Sequence, residues 1–293
     1  MTEVFLGNEA IGAGMSRNTL QRWYRPLFRG VYVPRSVTPT LQDRTLGAWL
    51  TTGRDGVIAG VAASALHGAA WIGDDEPIEV LVAERRRQPG LLIRMDRVGD
   101  DEVTEVHGLP VTNAVRTAFD VGRYQRRSVA IGRLDALMRA KRFAPREVEA
   151  LMRRYGPVRG VRQLRELLPL VDAGAESPKE SWLRLLLIDG GLPIPQTQIP
   201  VLDGGVPVAF IDMGWERIKL GIEYDGDQHR TDRRQYVKDL RRLPMLQDMD
   251  WEMIRVIAED RPAAVLARVR EAFVRRGGTE IDELQTFTRT FAA

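Results

Sequence analysis

A chain of 293 residues and 33.0 kDa is too long for one compact core of the usual size, so we expect two or three domains. Apolar residues make up 44% of the chain, charged residues 28%, and the net charge is only +3, which excludes disordered and fibrous proteins. The lack of cysteine excludes disulfides and thiolate metal sites, and the lack of a long apolar run or leader predicts a cytoplasmic protein with no membrane partner.

Residues 1–56 predict a winged-helix DNA-binding domain. Helical periodicity begins before a Gly-Ala-Gly break, and Ser16 caps a second helix that Pro26 ends. Trp23 belongs to the apolar face of this helix, and the aromatic and branched run 28–34 predicts a short strand of the length of a wing. The polar face of the helix carries Arg17, Asn18, Gln21, Arg22 and Arg25.

Residues 57–172 predict a mixed α/β middle domain without a catalytic constellation. The pattern indicates helices, three strands and then four further helices before a Gly- and Pro-containing hinge at 172–178. The predicted elements from residue 41 to the hinge are helices at 41–50 and 61–70, strands at 78–82, 91–95 and 103–111, and helices at 114–121, 129–140, 145–154 and 161–168.

Residues 173–277 predict a second α/β domain with a mixed sheet flanked by helices, and the tail 278–293 lacks periodicity. The predicted elements are helices at 179–189, 232–247 and 262–276 and strands at 197–201, 206–214, 218–225 and 251–257. The fold class is therefore α/β in its parts and α+β overall.

Acidic residues of two neighbouring strands are expected to converge in this last domain. Strand alternation places Lys219, Glu223 and Asp225 on one face, and Asp212 ends the preceding strand of a predicted hairpin. Carboxylates that close would repel one another unless a hard divalent cation neutralised them. The spacing therefore predicts a Mg²⁺ or Mn²⁺ site that could activate water and stabilise phosphate charge.

These residues resemble the PD-(D/E)xK nuclease superfamily, in particular its very-short-patch-repair-like endonucleases, whose last motif reads E-x-D-G-x-x-H. The matching residues are Asp212, the run 223–226 and His229. The resemblance implies that Asp212 and Glu223 bind metal, that Glu180 completes the acidic set, and that His229 acts as base or leaving-group acid. Asp225 stands where the wider superfamily has a catalytic lysine, so the activation of the nucleophile falls to His229 or to metal-bound water.

Two features of this domain have a structural explanation as well. Glu180 occupies the N3 position behind Ser177 and Pro178, which is a capping box as much as it is a ligand position. A run of basic residues after the acidic motif is either a solvated helix face or a surface for a nucleic-acid backbone. The run consists of Arg230, Arg233, Arg234, Lys238, Arg241 and Arg242.

Residues 1–70 resemble the winged-helix domain of AbiEi-like antitoxins of the abortive-infection type. The resemblance is carried by Leu20 to Trp23, Leu27 to Tyr32 and Ala62 to Gly68. It implies that the polar residues of the second helix face a DNA groove and that Arg29 touches phosphate from the wing. His67 is expected to be structural.

Three functions remain open at this point. The first is a metal-dependent endonuclease in which the first domain retains DNA and the last hydrolyses a phosphodiester. The second is a non-catalytic, AbiEi-like antitoxin or transcriptional regulator with a degenerate nuclease-fold domain and a cognate toxin as partner. The third is a nuclease acting on RNA.

Overall fold

The computed structural model describes residues 3–83, 88–225 and 242–279, and the chain divides into one unit up to Val171 and a second from Asp172 onward. The predicted hinge at 172–178 therefore begins the second unit. Residues 1–56 and 57–171, which the sequence separates, lie together in the first unit. The α+β fold class is confirmed, because helices and three sheets alternate along the described chain.

The first unit opens with a winged helix and continues into a five-stranded sheet followed by four helices. Its elements are β1 (Phe5–Leu6), α1 (Gly7–Gly12), α2 (Arg17–Trp23), β2 (Tyr24–Phe28), β3 (Val31–Pro34), α3 (Leu41–Thr51), β4 (Val57–Ala59), α4 (Gly60–Leu66), β5 (Ile78–Leu81), β6 (Leu91–Arg94), β7 (Val103–Val106), β8 (Leu109–Thr112), α5 (Ala114–Tyr124), α6 (Arg127–Ala140), α7 (Pro145–Tyr155) and α8 (Val161–Leu167).

The winged helix differs from its prediction in where α2 ends. The helix stops at Trp23 rather than at Pro26, because a residue before proline disfavours helical backbone, and Tyr24–Phe28 forms β2 instead. The predicted single strand at 28–34 covers the end of β2, a turn that contains Gly30 at a φ of 78°, and the returning strand β3. The sheet order β1-β3-β2 leaves Pro26 on an edge strand, where its missing N–H costs no ladder bond.

The five-stranded sheet has the order β6-β5-β4-β8-β7 and shares one apolar core with the wing. Val31 and Val33 of β3 are fully buried in the same cluster as Ile58, Val80 and Val111 of the sheet. Strand β4 is absent from the prediction, and the strand predicted at 103–111 is the hairpin β7–β8. The wing and the sheet are thus one packing unit.

A buried network of charges holds α5 against its neighbours. Arg116 donates to Glu102 at 2.5 Å and to Asp120 at 2.8 Å, and Arg123 donates to Asp120 at 2.8 Å and to Asp96 at 2.7 Å. Burial opposes the charge of Arg116, but Asp120 and Glu102 outweigh it and raise the pKa of the guanidinium. The sequence pattern of the predicted middle domain does not indicate this network.

The second unit is a four-stranded sheet with helices packed on its two faces. Its elements are α9 (Pro178–Asp189), β9 (Gln196–Asp203), β10 (Val206–Trp215), β11 (Leu220–Asp225), α10 (helical over the described residues 242–248), β12 (Glu252–Ile257) and α11 (Pro262–Arg275). The strand order is β12-β11-β10-β9, with β11 and β12 parallel and the other neighbours antiparallel. One apolar cluster joins α9 and α11 to the sheet, and another joins Leu246 of α10 to Ile211 and Trp251.

The turn before β11 corrects the predicted position of Lys219. Residues Glu216–Ile218 form a short 3₁₀ turn, and Lys219 has left-handed backbone with a φ of 49°, so β11 starts at Leu220 rather than at 218. The Nζ atom of Lys219 donates to the carbonyl of Met249 at 2.9 Å. Lys219 therefore does not share the strand face of Glu223. Within the described ranges, no helix combines the length and apolar character needed to cross a membrane.

Candidate functional site

Two glutamates of the second unit, Glu180 and Glu223, lie close enough to act on the carboxylate of Asp212. Asp212 of β10 and Glu223 of β11 stand one residue beyond the last paired positions of these strands, Met213 and Ile222. Asp212 Oδ2 accepts a hydrogen bond from the backbone N–H of Tyr224 at 3.3 Å, which holds its carboxylate toward β11. The predicted approach of Asp212 and Glu223 across a hairpin is the arrangement found.

The electrostatics of Asp212 reveal this proximity. Its pKa is raised from 3.8 to about 7, because burial and, after it, the negative charges of Glu180 and Glu223 outweigh the Tyr224 N–H and Arg242, which act in the opposite direction. A carboxyl group in this state is partly protonated near neutral pH. Glu180, Asp212 and Glu223, which we call the carboxylate cluster, therefore carry more negative charge than their surroundings readily tolerate.

Glu180 reaches the cluster from the first turn of α9. Ser177 caps this helix, since its Oγ accepts from the Glu180 N–H at 3.2 Å and donates to Glu180 Oε1 at 2.9 Å. Glu180 Oε2 accepts from the backbone N–H of Glu176 at 2.8 Å, and the side chain is buried with 8% exposure. The Ser177 cap anticipated from the sequence is therefore present, while the Glu180 carboxylate bonds the N–H of Glu176 rather than that of Ser177, as a full capping box would require.

Arg242 brings a positive charge to the cluster. Its Nη2 donates to Glu223 Oε1 and, at 2.6 Å, to the carbonyl of Phe210 on β10. Glu223 itself is buried with 6% exposure, so this ion pair is largely removed from water. The sequence contains Arg242 in its basic run, but a link to a glutamate 19 residues earlier leaves no local signal.

The arrangement does not fit the Mg²⁺ or Mn²⁺ ion that the nuclease resemblance implies. Across residues 3–83, 88–225 and 242–279, no group of three or more acidic or imidazole side chains is placed to hold a metal ion. A ligand oxygen of Glu223 is instead engaged by a guanidinium. Asp225 points elsewhere, with its Oδ2 at 3.9 Å from Nη1 of Arg255 on the parallel strand β12.

The remaining predicted residues of this unit belong to the stretch 226–241. His229 and the basic residues Arg233, Arg234 and Lys238 lie outside the described residues. Arg230 and Arg241 lie outside them as well.

The winged helix exposes most of the polar residues predicted to face DNA. Ser16 Oγ accepts from the Thr19 N–H at 3.0 Å and starts α2 as predicted. Leu20 is the buried residue of this helix. The exposed residues of α2 and of the β2–β3 turn include Arg17, Asn18, Gln21, Arg22 and Arg29.

Two residues of this region depart from their predicted positions. Arg25 lies on β2 rather than on α2, and its Nη2 donates to the carbonyl of Val37 at 3.0 Å, so it braces the hairpin instead of extending the helix face. Trp23 is 59% exposed rather than buried, with the guanidinium of Arg22 5.1 Å from its ring centroid.

His67 has the structural role that the sequence suggests. It follows α4, and its Nε2 lies 2.7 Å from the carbonyl oxygen of Thr112 at the end of β8. This hydrogen bond joins the small-residue helix to the sheet.

A family comparison places part of the first unit. Residues 57–170 match the family of the AbiEi antitoxin C-terminal domain. The expected resemblance to these antitoxins covered residues 1–70, so the match falls on the stretch to which the sequence assigned no purpose, overlapping the expectation only at its end. The match stops before the second unit begins.

Curated proteins include relatives that align with most of this chain. Two proteins of Mycobacterium tuberculosis strains, both named only as uncharacterized, are 32% identical to this chain over 255 residues, covering 84% of it and 89% of their own length. An alignment of that length extends into both units. No solved structure matches the chain significantly.

Proposed function

The chain belongs to one family with these mycobacterial proteins, and from that premise we propose that it is a DNA-binding regulator of the AbiEi antitoxin type. The observation that carries the proposal is the winged helix that precedes the antitoxin-type domain and shares its core. A rigid connection of this kind lets a change in the antitoxin-type domain alter how α2 is presented to DNA.

The chemistry of α2 supports this function. Arg17 and Arg22 supply charges for phosphate, and Asn18 and Gln21 supply amides that can read base edges in a major groove. Arg29 lies in the turn of the wing, where a phosphate contact is sterically open. Arg25 is left out, because its guanidinium already binds the carbonyl of Val37.

The test is a fluorescence-anisotropy titration of the full chain with duplex DNA from upstream of its own gene, at several salt concentrations. Replacing Arg17 and Arg22 by alanine is expected to weaken binding and to lower the slope of log K against log salt by about one per lost phosphate contact. Arg162→Ala serves as the control, since this arginine of α8 is 92% exposed and far along the chain from α2. Equal slopes in all three proteins would reject the assignment of α2 to DNA.

A protein partner follows from the antitoxin assignment. We propose a cognate toxin encoded beside this gene, to be tested by co-purification of the neighbouring gene product with the full chain. Survival of cells that express the neighbouring gene only when this chain is present would support the pairing.

The proposal assigns no cleavage to the second unit. Incubation with DNA and Mg²⁺ or Mn²⁺ is expected to leave the DNA intact. Cleavage that disappears in Asp212→Ala and Glu223→Ala would instead establish the endonuclease and replace this proposal.

A further inference from the structure

Negative charge in the carboxylate cluster needs a counter-charge. Burial raises the pKa of Asp212 there, and the negative charges of Glu180 and Glu223 raise it as well. Two kinds of cation can relieve such a cluster, a divalent metal or a fixed basic side chain. The residues present allow a choice between them.

Arg242 is positioned by the fold rather than by chance contact at a surface. It begins the described part of α10, and Leu246 of the same helix is fully buried against Ile211 and Trp251. The guanidinium is anchored at two points, the carbonyl of Phe210 and the carboxylate of Glu223. Its side chain is 24% exposed, and that of Glu223 only 8%, so water screens the pair weakly.

We propose that Arg242 is the resident cation of the carboxylate cluster and that it excludes a divalent metal ion from Glu223. A metal ion would compete with the guanidinium for the same carboxylate oxygen, and it would place two positive charges beside a fixed third. The cluster thus contains acidic residues of the kind that bind metal ions. The positive charge that compensates them comes from Arg242 of α10. The inference concerns the second unit and is independent of DNA binding by α2.

The experiment compares Mn²⁺ binding to the full-length wild type and to Arg242→Gln at pH 8, followed by the electron paramagnetic resonance of free Mn²⁺. Glutamine removes the charge and keeps a polar amide on an unbranched stem. We expect little binding to the wild type and an affinity at least about tenfold higher in Arg242→Gln, the scale on which a nearby charge acts. Arg268→Gln is the matched control, since it removes one charge from α11, where Arg268 pairs with Asp260 at 2.9 Å.

Two further variants make the result specific to the cluster. Arg242→Lys keeps the positive charge and is expected to bind Mn²⁺ as weakly as the wild type. In the double variant Glu223→Gln/Arg242→Gln, the gain in affinity should vanish, because the proposed ligand is gone together with the guanidinium.

The proposal is overturned if Arg242→Gln binds Mn²⁺ no better than the wild type, or if the wild type already binds it as tightly as the variant. Should the single variant be unfolded without metal, Mn²⁺ is expected to restore its circular dichroism spectrum. Failure of that rescue, while the double variant folds without metal, would equally reject the role of Arg242.

Discussion

Each unit of this protein buries a group of charges, and the two groups are built differently. In the first unit, Arg116 and Arg123 face Glu102, Asp120 and Asp96, and each acid has a basic partner at hydrogen-bond distance. In the second, three carboxylates meet around Asp212, whose pKa rises to about 7. The first arrangement ties helix α5 to its surroundings. The second leaves negative charges close together and raises the pKa of Asp212, and shifted pKa values of this kind are common at ligand and catalytic sites.

Breaking the balanced network should have the largest effect. Asp120→Ala leaves two buried arginines without their shared partner, and we expect the free energy of unfolding to fall by about 3–5 kcal/mol. Urea denaturation of the full chain measures it. As a control, Glu166→Ala removes an exposed pair with Arg162 and should cost about 0.5 kcal/mol or less. A small loss in Asp120→Ala would show that the network contributes little to stability.

Removing the charge of Asp212 from the carboxylate cluster should raise the free energy of unfolding rather than lower it. Because its folded-state pKa of about 7 exceeds its ordinary 3.8, Asp212 binds its proton more tightly in the native protein, and stability falls as pH rises between these values. Asp212→Asn cannot ionise, so we expect it to be more stable than the wild type by about 1–3 kcal/mol at pH 8, with the gain vanishing near pH 4.

Urea unfolding at several pH values tests this expectation. Asp203→Asn, at the exposed end of β9, is the matched control and should show no such pH-dependent gain. A constant difference between Asp212→Asn and the wild type would mean that the cluster does not oppose ionisation.

Loosening Glu180 should have the smallest effect of the three. Ser177→Ala removes the cap of α9 and one hydrogen bond to the Glu180 carboxylate, with an expected cost of about 1 kcal/mol. Ser16→Ala at α2 is the comparison, since Ser16 also caps a helix but fixes no buried acid. Equal costs would indicate that the Ser177 hydroxyl stabilises α9 only as a cap.

Local signals explain most of what the sequence predicts correctly. Helices α7 and α11 begin with a proline and follow a helical period, and Ser177 starts α9 as expected. The strand β4 has only three residues, and its identity comes from pairing with β5 and β8, which lie elsewhere in the chain. Pairing with strands that lie elsewhere in the chain leaves no hydrophobic period within these three residues.

The candidate site also combines contacts that local sequence patterns predict with contacts that they do not. Strand alternation and a short connection are enough to bring Asp212 near Glu223. The reach of Arg242 to Glu223 depends on how α10 packs on the sheet, which no spacing encodes. The apolar period alone extends α2 to Pro26 and places Arg25 on the helix, whereas the residue before a proline disfavours helical backbone and Arg25 lies on β2.

The shared core of the wing and the five-stranded sheet affects how this protein can be dissected. A fragment ending at residue 56 would carry Phe28, Val31 and Val33 without Ile58 and Val80, which cover them in the intact unit. It would expose this apolar surface to water, and we expect it to aggregate or to have a low melting temperature. Truncation after Val171 spares that interior, so a fragment of this protein should retain the entire first unit.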